Sequence, residues 1–569
     1  MPIPGEALVS MEKYALLNAV RHGGKAEVGP VMGKVLGEFP ELRGDPDSTK
    51  ETVKSVIHRV NSMAPTDQQA MLRTKYPEAE KPPEKEGRNV LPPLPNAVHG
   101  KTAFRLPPEP SGYMHIGHAM AFTLNYLYRE MYCGDLWLRF EDTNPKKVAE
   151  EYYGSFRSGI EWLGIEFDHE KNVSDDMELM YEQGRRMIEG GFAYACSCDL
   201  ERVKLLRFEG KPCAHRGRPV NESLGIWEEL LARKHHEGTF VIRMMGDMTS
   251  LDYSLRDPNV FRVIEHPHPL TGDKYTLWPT YDLANTIEDE VCGITHVLRS
   301  SEFNTPLQHL IREKLGFRPV EVIQFSRYNF KGTPVSKRLL RPLVEEKLVS
   351  GWDDPRMPTI EGVRRRGILS ESLRQFTIQV GYTKTEHEYD WSLLYAVNRK
   401  ILDPVSKRLF FVPEPQPLFV EGAPDKVARI PNHPDKELGE RNVATDGYFF
   451  LPTRDVNSLK KGDVFRLMDL YNVELVRAGA EPRGRYAGDE LVHGSKKVQW
   501  VTRSHTDITI LVAGLLFDDD GVYNDLSLEE VRGFAELATT GLKEGEIVQF
   551  PRFGFCRVDE PGTMIMAHK

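Results

Sequence analysis

PPEPSGYMHIGH, residues Pro107–His118, is the stretch of this sequence that decides the fold. A strand candidate, Thr102–Leu106, precedes it, and a helical run, roughly Gly117–Met131, follows it. Proline fixes the direction of the chain, and glycine lets the backbone approach a ligand closely. His115 and His118 fall in the first turn of the predicted helix, where exposed N–H groups and the helix dipole favour phosphate. The stretch predicts a nucleotide-binding turn; the alternative is a proline-rich turn with incidental histidines.

The segments that follow continue the alternation of strand and helix. Asp135–Phe140 is a second strand candidate. One face of a second helix is marked by apolar residues at helical spacing: Val148, Tyr152, Phe156, Ile160 and Leu163. Strand, helix, strand and helix in this order predict a parallel α/β sheet.

Both ends of the chain differ from this α/β region. Residues 1–77 are predicted to be helical, because one helical face carries Val53, Val56, Ile57 and Val60. A proline-rich, charged linker, Lys81–Asn96, marks a domain boundary. After about residue 403 short β-rich segments alternate with turn residues, which predicts a β-barrel or sandwich. These segments are Gly447–Leu451, Val464–Leu467, Val498–Val501, Ile508–Val512 and Ile547–Phe550.

The composition limits the class of protein. A length of 569 residues predicts several domains, because one hydrophobic core rarely serves so long a chain. Hydrophobic residues make up 40% and charged residues 28%, a balance typical of soluble globular proteins. The first residues lack a signal-peptide pattern, and no apolar run approaches the roughly 18 residues that span a bilayer. We therefore expect a cytoplasmic protein with no membrane segment. The net charge of −10 argues against nonspecific coating of nucleic acid but allows local basic patches.

A second candidate site element is the segment GTPVSKR, Gly332–Arg338. A lysine on a flexible, glycine-flanked loop can move toward a triphosphate and neutralise charge on the leaving pyrophosphate. Lys337 is that lysine, and Ser336 precedes it. A solvated basic turn is the alternative interpretation.

A third candidate is a metal site. The patterns CxC and CxH, at Cys196, Cys198, Cys213 and His215, are joined by a short loop. Thiolates and imidazole are zinc ligands, and two such pairs can close a tetrahedral site. Because all four ligands are protein groups, the predicted zinc is structural; free cysteines beside a chance histidine are the alternative.

The first motif resembles the HIGH signature of class I aminoacyl-tRNA synthetases, in the longer form PPEP(N/S)GYxHIGHA of the glutamyl/glutaminyl subgroup. Ser111 stands where the subgroup often has asparagine. PVSKR resembles the KMSKS loop of the same enzymes, with Pro334 and Val335 in place of its first lysine and its methionine. The resemblance implies a Rossmann-type catalytic core. It implies catalytic roles for His115, His118 and Lys337, and ATP contacts for Pro108, Glu109, Gly117 and Ser336.

The amino-acid pocket of this subgroup is similar in several segments. The resemblance places the substrate at Arg105, at Glu141 in LRFEDTNP, at Tyr281 in PTYDLAN and at Arg299 in GITHVLRSSEF. Glutaminyl enzymes carry an uncharged residue at the last position, whereas glutamyl enzymes carry arginine. A buried arginine would pair with a side-chain carboxylate and be left partly uncompensated by an amide. Glutamate is therefore favoured over glutamine; for Arg299 a surface salt bridge is the alternative.

Other segments extend the resemblance over roughly residues 13–43 and 100–560. GWDDPRMPTIEGVRRRGI, Gly351–Ile368, matches the subgroup and implies contact of Arg364, Arg365 and Arg366 with tRNA; a solvated face is the alternative. The cysteine-rich insertion resembles one that contacts the tRNA acceptor end. The β-rich carboxyl-terminal half resembles the β-barrel anticodon-binding domains of the archaeal and eukaryotic branch. Lys13–Arg43 resembles the helical extension of archaeal glutamyl enzymes.

These resemblances imply a multidomain α/β protein with successive parts. They are a helical extension and linker (1–96), the first half of the catalytic domain (97–195), an acceptor-end-binding insertion (196–271), the second half (272–345), a helical connecting and stem-contact region (346–402) and β-barrel anticodon-binding domains (403–569).

The implied reaction is ATP-dependent attachment of L-glutamate to the 3′ end of tRNA(Glu) through a glutamyl-adenylate, with Mg²⁺ accompanying ATP. The resemblance leaves open whether tRNA(Gln) is also charged and whether the protein is a monomer or a homodimer. A glutaminyl enzyme and a catalytically silent, synthetase-derived tRNA-binding protein are the alternatives. The intact His115, His118, Ser336 and Lys337 argue against the silent protein.

Overall fold

The computed structural model describes residues 3–39, 42, 45–76, 91–300 and 305–569. The chain divides into two units, Met1–Val90 and Leu91–Lys569. Most of the predicted linker, Lys81–Asn96, lies outside the described residues. No helix within the described ranges is long and apolar enough to cross a bilayer.

The first unit is helical. Its helices are α1 (Gly5–Arg21), α2 (Val28–Glu38), α3 (Pro46–Asn61) and α4 (Pro65–Lys75). Helix α3 begins at a capping aspartate, Asp45, whose side chain accepts a hydrogen bond from the Ser48 amide. Its buried face contains the apolar row predicted from the sequence, Val53, Val56, Ile57 and Val60.

The second unit begins with a parallel sheet. Strands β1 (Ala103–Leu106), β2 (Asp135–Phe140) and β3 (His169–Asn172) lie side by side, joined by α5 (Ile116–Tyr132) and α6 (Glu150–Trp162). This alternation confirms the predicted parallel sheet. Two later parallel strands, β8 (His296–Ser300) and β9 (Glu321–Phe325), adjoin β1 through a backbone hydrogen bond from Thr295 to Ala103. The carboxyl ends of β1, β2 and β3 face one edge of their parallel sheet, where ligands bind in such sheets.

A four-stranded antiparallel sheet interrupts the parallel one. Its order is β4 (Ala193–Cys196), β5 (Val241–Met244), β6 (Asn259–Val263) and β7 (Leu277–Pro279). The helices around it are α7 (Met177–Glu189), α8 (Leu200–Glu209), α9 (Val220–Leu231), α10 (Tyr281–Val291) and α11 (Thr305–Leu315).

A mostly helical region follows β9. It contains the parallel pair β10 (Tyr328–Phe330) and β11 (His387–Tyr389). Its helices are α12 (Lys337–Glu345), α13 (Ile360–Arg366), α14 (Ser370–Val380) and α15 (Trp391–Leu402). The core of this region is continuous with that of the parallel sheet, so the lysine segment and the sheet edge belong to one packed body.

The remaining chain forms two six-stranded sheets, which agrees with the β-rich prediction. One has the order β12-β22-β21-β25-β24-β23 and the other β16-β13-β19-β18-β17-β20, with α16 (Thr453–Asn457) and a separate hairpin β14-β15. The strands are β12 (Phe411–Pro413), β13 (Pro415–Glu421), β14 (Lys426–Pro431), β15 (Glu440–Thr445), β16 (Tyr448–Pro452), β17 (Val464–Leu467), β18 (Asn472–Arg477), β19 (Arg483–Tyr486), β20 (Lys496–Val498), β21 (His505–Ala513), β22 (Leu528–Glu536), β23 (Ile547–Phe550), β24 (Gly554–Glu560) and β25 (Thr563–His568).

Candidate active site

A cavity of about 1410 Å³ lies at the carboxyl edge of the parallel sheet. The residues that line it include most of those predicted for ATP and amino acid: Arg105, Glu109, His115, Gly117, His118, Glu141, Tyr281, Arg299, Ser336 and Lys337. They come from the ends of β1, β2 and β8, the starts of α5 and α10, and the lysine segment before α12. The fold thus brings together side chains that lie more than 200 residues apart in sequence.

The two histidines form a stacked pair at the start of α5. Their ring centroids are 3.7 Å apart. The Nδ1 of each ring accepts the backbone N–H of the other residue, at 3.3 and 3.4 Å. The proton of each neutral ring therefore sits on Nε2, which remains a donor. Burial, reinforced by the nearby Lys337 ammonium, lowers the pKa of His115 to about 3, and burial also holds the pKa of His118 well below its usual value.

The helix start supports this pair. Gly117 lies directly beneath the imidazole of His115, where an added Cβ would come within 3.2 Å of the ring. The backbone carbonyl of Pro108 accepts a hydrogen bond of 2.8 Å from the amide of Glu141. This bond joins the proline turn after β1 to the turn after β2.

The lysine segment meets the proline turn across the cavity. Ser336 occupies the N-cap position of α12 without a side-chain capping hydrogen bond, and Lys337 is the first residue of the helix. The Lys337 ammonium donates to the Ser111 hydroxyl at 2.5 Å, and that hydroxyl donates to the Glu109 carboxylate at 2.8 Å. Burial lowers the pKa of Lys337, although Glu109 opposes this effect.

The part of the cavity predicted to bind the amino acid adjoins one buried carboxylate, Asp289. It accepts hydrogen bonds from Arg105 Nε at 2.8 Å, from Arg139 Nη2 at 2.9 Å and from Arg312 Nη2 at 3.1 Å. Burial alone would raise the pKa of Asp289, but the three guanidinium groups outweigh burial and hold that pKa below its usual value. Asp289 is therefore ionised and fixes the orientation of three arginines.

Glu141 belongs to the same hydrogen-bonded network. Its Oε1 accepts from Arg139 Nε at 2.9 Å and from Asn285 Nδ2 at 3.1 Å. Asn285 in turn accepts from Arg105 Nη2 at 3.1 Å. Burial raises the pKa of Glu141 even though Arg139 and Arg105 favour its charged form. A further cationic group beside Glu141 would favour its charged form more strongly.

Arg299, at the end of β8, is 5% exposed, which excludes the surface salt bridge considered as its alternative. Its guanidinium donates to Gln308 Oε1 at 2.6 Å and to Thr305 Oγ1 at 2.8 Å. Burial lowers the pKa of Arg299, and the positive charge of Arg105 lowers it further.

Sequence reasoning missed the polar residues that hold these side chains. They are Arg139, Asn285, Asp289, Thr305, Gln308 and Arg312. A signal was present in α10, where Asp282, Asn285 and Asp289 recur at helical spacing on a face that is otherwise buried. Polar residues at core positions of a helix indicate a buried network.

The three arginines of α13 have different environments. Arg365 makes a bidentate ion pair with Asp559, at 2.9 and 2.7 Å. Arg366 is 9% exposed and donates to the carbonyls of Ala513 and Ala567. Both arginines therefore anchor α13 to the sheet that contains β21. Arg364 is exposed, so the predicted RNA contact rests on this residue.

The four predicted metal ligands lie together, with their ligand atoms within 4.8 Å of one another. Cys196 Sγ is 3.9 Å from Cys213 Sγ, and His215 Nδ1 is 3.7 and 3.4 Å from the Sγ atoms of Cys196 and Cys198. Tetrahedral zinc with ordinary bond lengths would separate two sulfurs by about 3.8 Å and a sulfur from a nitrogen by about 3.6 Å. The arrangement fits a zinc ion.

Comparison with known families agrees with this geometry. Residues 101–404 match the family model described as tRNA synthetases class I (E and Q), catalytic domain. Residues 406–487 and 497–559 match two models of the anti-codon binding domain of the same family. The two matched anticodon-binding segments correspond to the region of the two six-stranded sheets.

Several full-length relatives are similar. A glutamate–tRNA ligase of Nitrosopumilus maritimus is 40% identical over 563 residues, which cover 98% of this chain and 99% of the relative. A glutamate–tRNA ligase of Cenarchaeum symbiosum is 39% identical, and the match covers 100% of this chain and 99% of the relative. A glutamate–tRNA ligase of Pyrococcus abyssi is 39% identical, and the match covers 98% of this chain and 99% of the relative.

Proposed function

The chain belongs to the class I tRNA synthetases of the glutamate and glutamine group, and we propose that it attaches L-glutamate to the 3′ end of tRNA(Glu). Enzymes of this family use ATP and Mg²⁺. The observation that carries the proposal is that one cavity is lined both by Arg105 and Arg299 and by the histidine pair and Lys337. The two arginines suit an acid side chain, and the histidines with Lys337 suit a triphosphate.

The first step joins glutamate to AMP. The α-carboxylate of glutamate attacks the α-phosphorus of ATP, the bond to the β-phosphate breaks, and pyrophosphate leaves. The Nε2–H groups of His115 and His118 and the ammonium of Lys337 are donors for the phosphate oxygens on which charge develops. Mg²⁺ supplies further positive charge to the phosphates. No protein nucleophile is needed, because the enzyme positions the reactants and stabilises charge.

The second step transfers the amino acid. A ribose hydroxyl of the terminal tRNA adenosine attacks the glutamyl carbonyl, and AMP leaves. We assign recognition of the acceptor end to the insertion at 196–271 and recognition of the anticodon to residues 403–569, with Arg364 as a phosphate contact. Because the reaction serves translation, we propose that it takes place in the cytoplasm.

Selection of glutamate follows from charge. Glutamate and glutamine have almost the same shape, so only the carboxylate distinguishes them. Arg105 and Arg299 are the proposed partners of that carboxylate, Glu141 is the proposed partner of the substrate ammonium, and Tyr281 completes the pocket. A neutral amide would replace the charge-assisted hydrogen bonds of a carboxylate with weaker ones, which disfavours glutamine by several kcal/mol, on the order of 10²-fold or more.

The experiment is a charging assay with purified protein, ATP, Mg²⁺ and labelled amino acid. Transcripts of tRNA(Glu) and tRNA(Gln) are tested separately with glutamate and with glutamine. We expect glutamate to be attached to tRNA(Glu) and glutamine to be refused by both transcripts. Attachment of glutamine, or no attachment at all, would refute the proposal. Charging of tRNA(Gln) with glutamate would add a second acceptor without changing the amino acid.

We also propose a structural zinc ion at Cys196, Cys198, Cys213 and His215. The donor set and its spacing support zinc, and Tyr194 and Arg243 lie next to Cys213, each at 3.6 Å from its sulfur. The ion would tie the end of β4 to the turn before α9, next to a small buried cluster that already contains Tyr194, Cys196 and Cys213.

Metal analysis of the purified protein tests this assignment. We expect one zinc per chain, and we expect Cys213→Ser to lose it together with protease resistance of residues 196–219. The matched variant Cys133→Ser should keep both, because Cys133 is exposed and distant in sequence from the cluster. Stoichiometric zinc in Cys213→Ser, or none in the unaltered chain, would contradict the assignment.

A further inference from the structure

Lys337 is hydrogen-bonded to the proline turn. Its ammonium donates to Ser111, which is 5% exposed, and Ser111 passes the hydrogen bond on to Glu109. Glu109 also lies 3.6 Å from the ammonium of Lys147. The result is a short relay, Lys337–Ser111–Glu109, that joins the lysine segment to the turn after β1.

Gly112 makes room for this arrangement. An added Cβ at Gly112 would lie 2.5 Å from Cε and 2.9 Å from Cδ of Lys337. The lysine stem therefore passes directly over the glycine. Because the clashing atoms belong to the flexible part of a side chain, an alanine at this position would displace the lysine and leave the backbone intact.

The relay has consequences for charge. A partly buried ammonium needs acceptors, and here one hydroxyl backed by one carboxylate takes one of its three N–H donors. The phosphate oxygens of ATP are stronger anionic acceptors. The relay and the triphosphate therefore compete for the donor that Ser111 holds.

We propose that Ser111 and Glu109 are positioning residues that form a dock for Lys337 in the absence of ATP. The inference rests on the proposed function and gives Glu109 a role different from ATP contact: its carboxylate holds the lysine near the place where the triphosphate binds. Binding of ATP transfers Lys337 from Ser111 to phosphate. The dock keeps the lysine close to its target and weakens apparent ATP binding by the free energy of the contact that must be broken.

Two variants test the dock through Lys337 itself. Reductive methylation of lysines, followed by peptide mass spectrometry without ATP or glutamate, measures how accessible the ammonium is. Ser111→Ala removes the acceptor and Gly112→Ala expels the stem, so both should raise the rate of Lys337 labelling about threefold or more. The control Ser158→Ala, at an exposed position, should leave it unchanged. This readout requires no activity, so it can fail or succeed independently of the proposed reaction.

The competition is tested by the dissociation constant of ATP, measured by calorimetry. Ser111→Ala should lower this constant about threefold, whereas loss of an ATP contact would raise it. In a Lys337→Ala background the same change should have no effect, because the dock has no occupant. Unchanged labelling of Lys337 overturns the dock. If the dissociation constant of ATP rises or stays the same in Ser111→Ala, the proposed competition between the relay and ATP is wrong.

Discussion

The two halves of the cavity are built in different ways. The nucleotide half comes from two short segments, the proline turn with the start of α5 and the lysine segment before α12, and its lysine is held by one hydroxyl. The amino-acid half is assembled from β1, β2, α10, β8 and α11, and its side chains are locked around Asp289 by buried ion pairs. We interpret the contrast in terms of function: the lysine must move during the reaction, whereas the arginine network must discriminate between glutamate and glutamine.

The difference has a physical reason. Phosphate chemistry requires a cation that can follow charge as it moves to the leaving group, so a flexible lysine with a weak resting contact is suited to it. Discrimination between a carboxylate and an amide requires guanidiniums that cannot reorient to accommodate the wrong substrate. Arg105, bonded to both Asp289 and Asn285, has little freedom to move.

The strongest test of the nucleotide half is Lys337→Ala. We expect the rate of adenylate formation, measured as ATP–pyrophosphate exchange with tRNA present, to fall about 10²- to 10³-fold, because one preorganised donor to the transition state is lost. The melting temperature should hold, since the side chain leaves no cavity in the core. Lys400→Ala, exposed on α15, is the control. An undiminished rate would remove Lys337 from the mechanism.

Arg299→Gln tests the other half. Glutamate should lose about 10²-fold in kcat/KM while the KM for ATP stays within about twofold, because a charge-assisted pair with the side-chain carboxylate is removed. Arg318→Gln is the matched control, since Arg318 is exposed and paired with Glu290. Equal losses for glutamate and ATP would show that the two halves are not separable in this way.

Asp289→Asn tests whether the arginine network acts as one unit. The change keeps the size of the side chain and removes the charge that three guanidiniums share. We expect the KM for glutamate to rise about tenfold and the free energy of unfolding to fall by about 3 kcal/mol, as in other broken buried pairs. Denaturant titration and steady-state kinetics measure the two effects. Full stability together with full glutamate affinity would contradict the central role of Asp289.

The smallest effect is expected outside the cavity, at α13. Arg364→Ala should raise the KM for tRNA a few-fold and reduce the salt dependence of tRNA binding by about one charge, as for a phosphate contact. Arg365→Ala, which loses its pair with Asp559, should instead lower stability and leave the salt slope unchanged. The reverse pattern would exchange the roles of the two arginines.

The nucleotide half could be predicted from the sequence because its determinants are local. Residues 107–118 and 332–338 each contain their turn, their glycine and their reactive side chain. Strands such as Val464–Leu467 and Ile547–Phe550 have the predicted bounds for the same reason, since turn residues flank them on both sides. The apolar row on α3 could also be predicted from the sequence, because helical spacing determines which face is buried.

The amino-acid half could not be completed in this way. Arg105 and Asp289 are 184 residues apart, and nothing near either position indicates its partner. The polar spacing in α10 can indicate a buried network, but it does not show that three arginines surround Asp289. The α13 arginines illustrate the same limit, because the partners of Arg365 and Arg366 lie in a sheet about 150 to 200 residues away.

The claim that Lys337 acts on ATP and Arg299 on glutamate is tested most directly by one set of steady-state kinetic measurements. The unaltered chain, Lys337→Ala and Arg299→Gln are assayed for pyrophosphate exchange with tRNA(Glu), with ATP and glutamate varied independently. We predict that Lys337→Ala lowers kcat with little change in the KM for glutamate, and that Arg299→Gln raises the KM for glutamate with little change in the KM for ATP. A Lys337→Ala enzyme that loses glutamate affinity, or an Arg299→Gln enzyme that loses ATP affinity instead, would contradict the account.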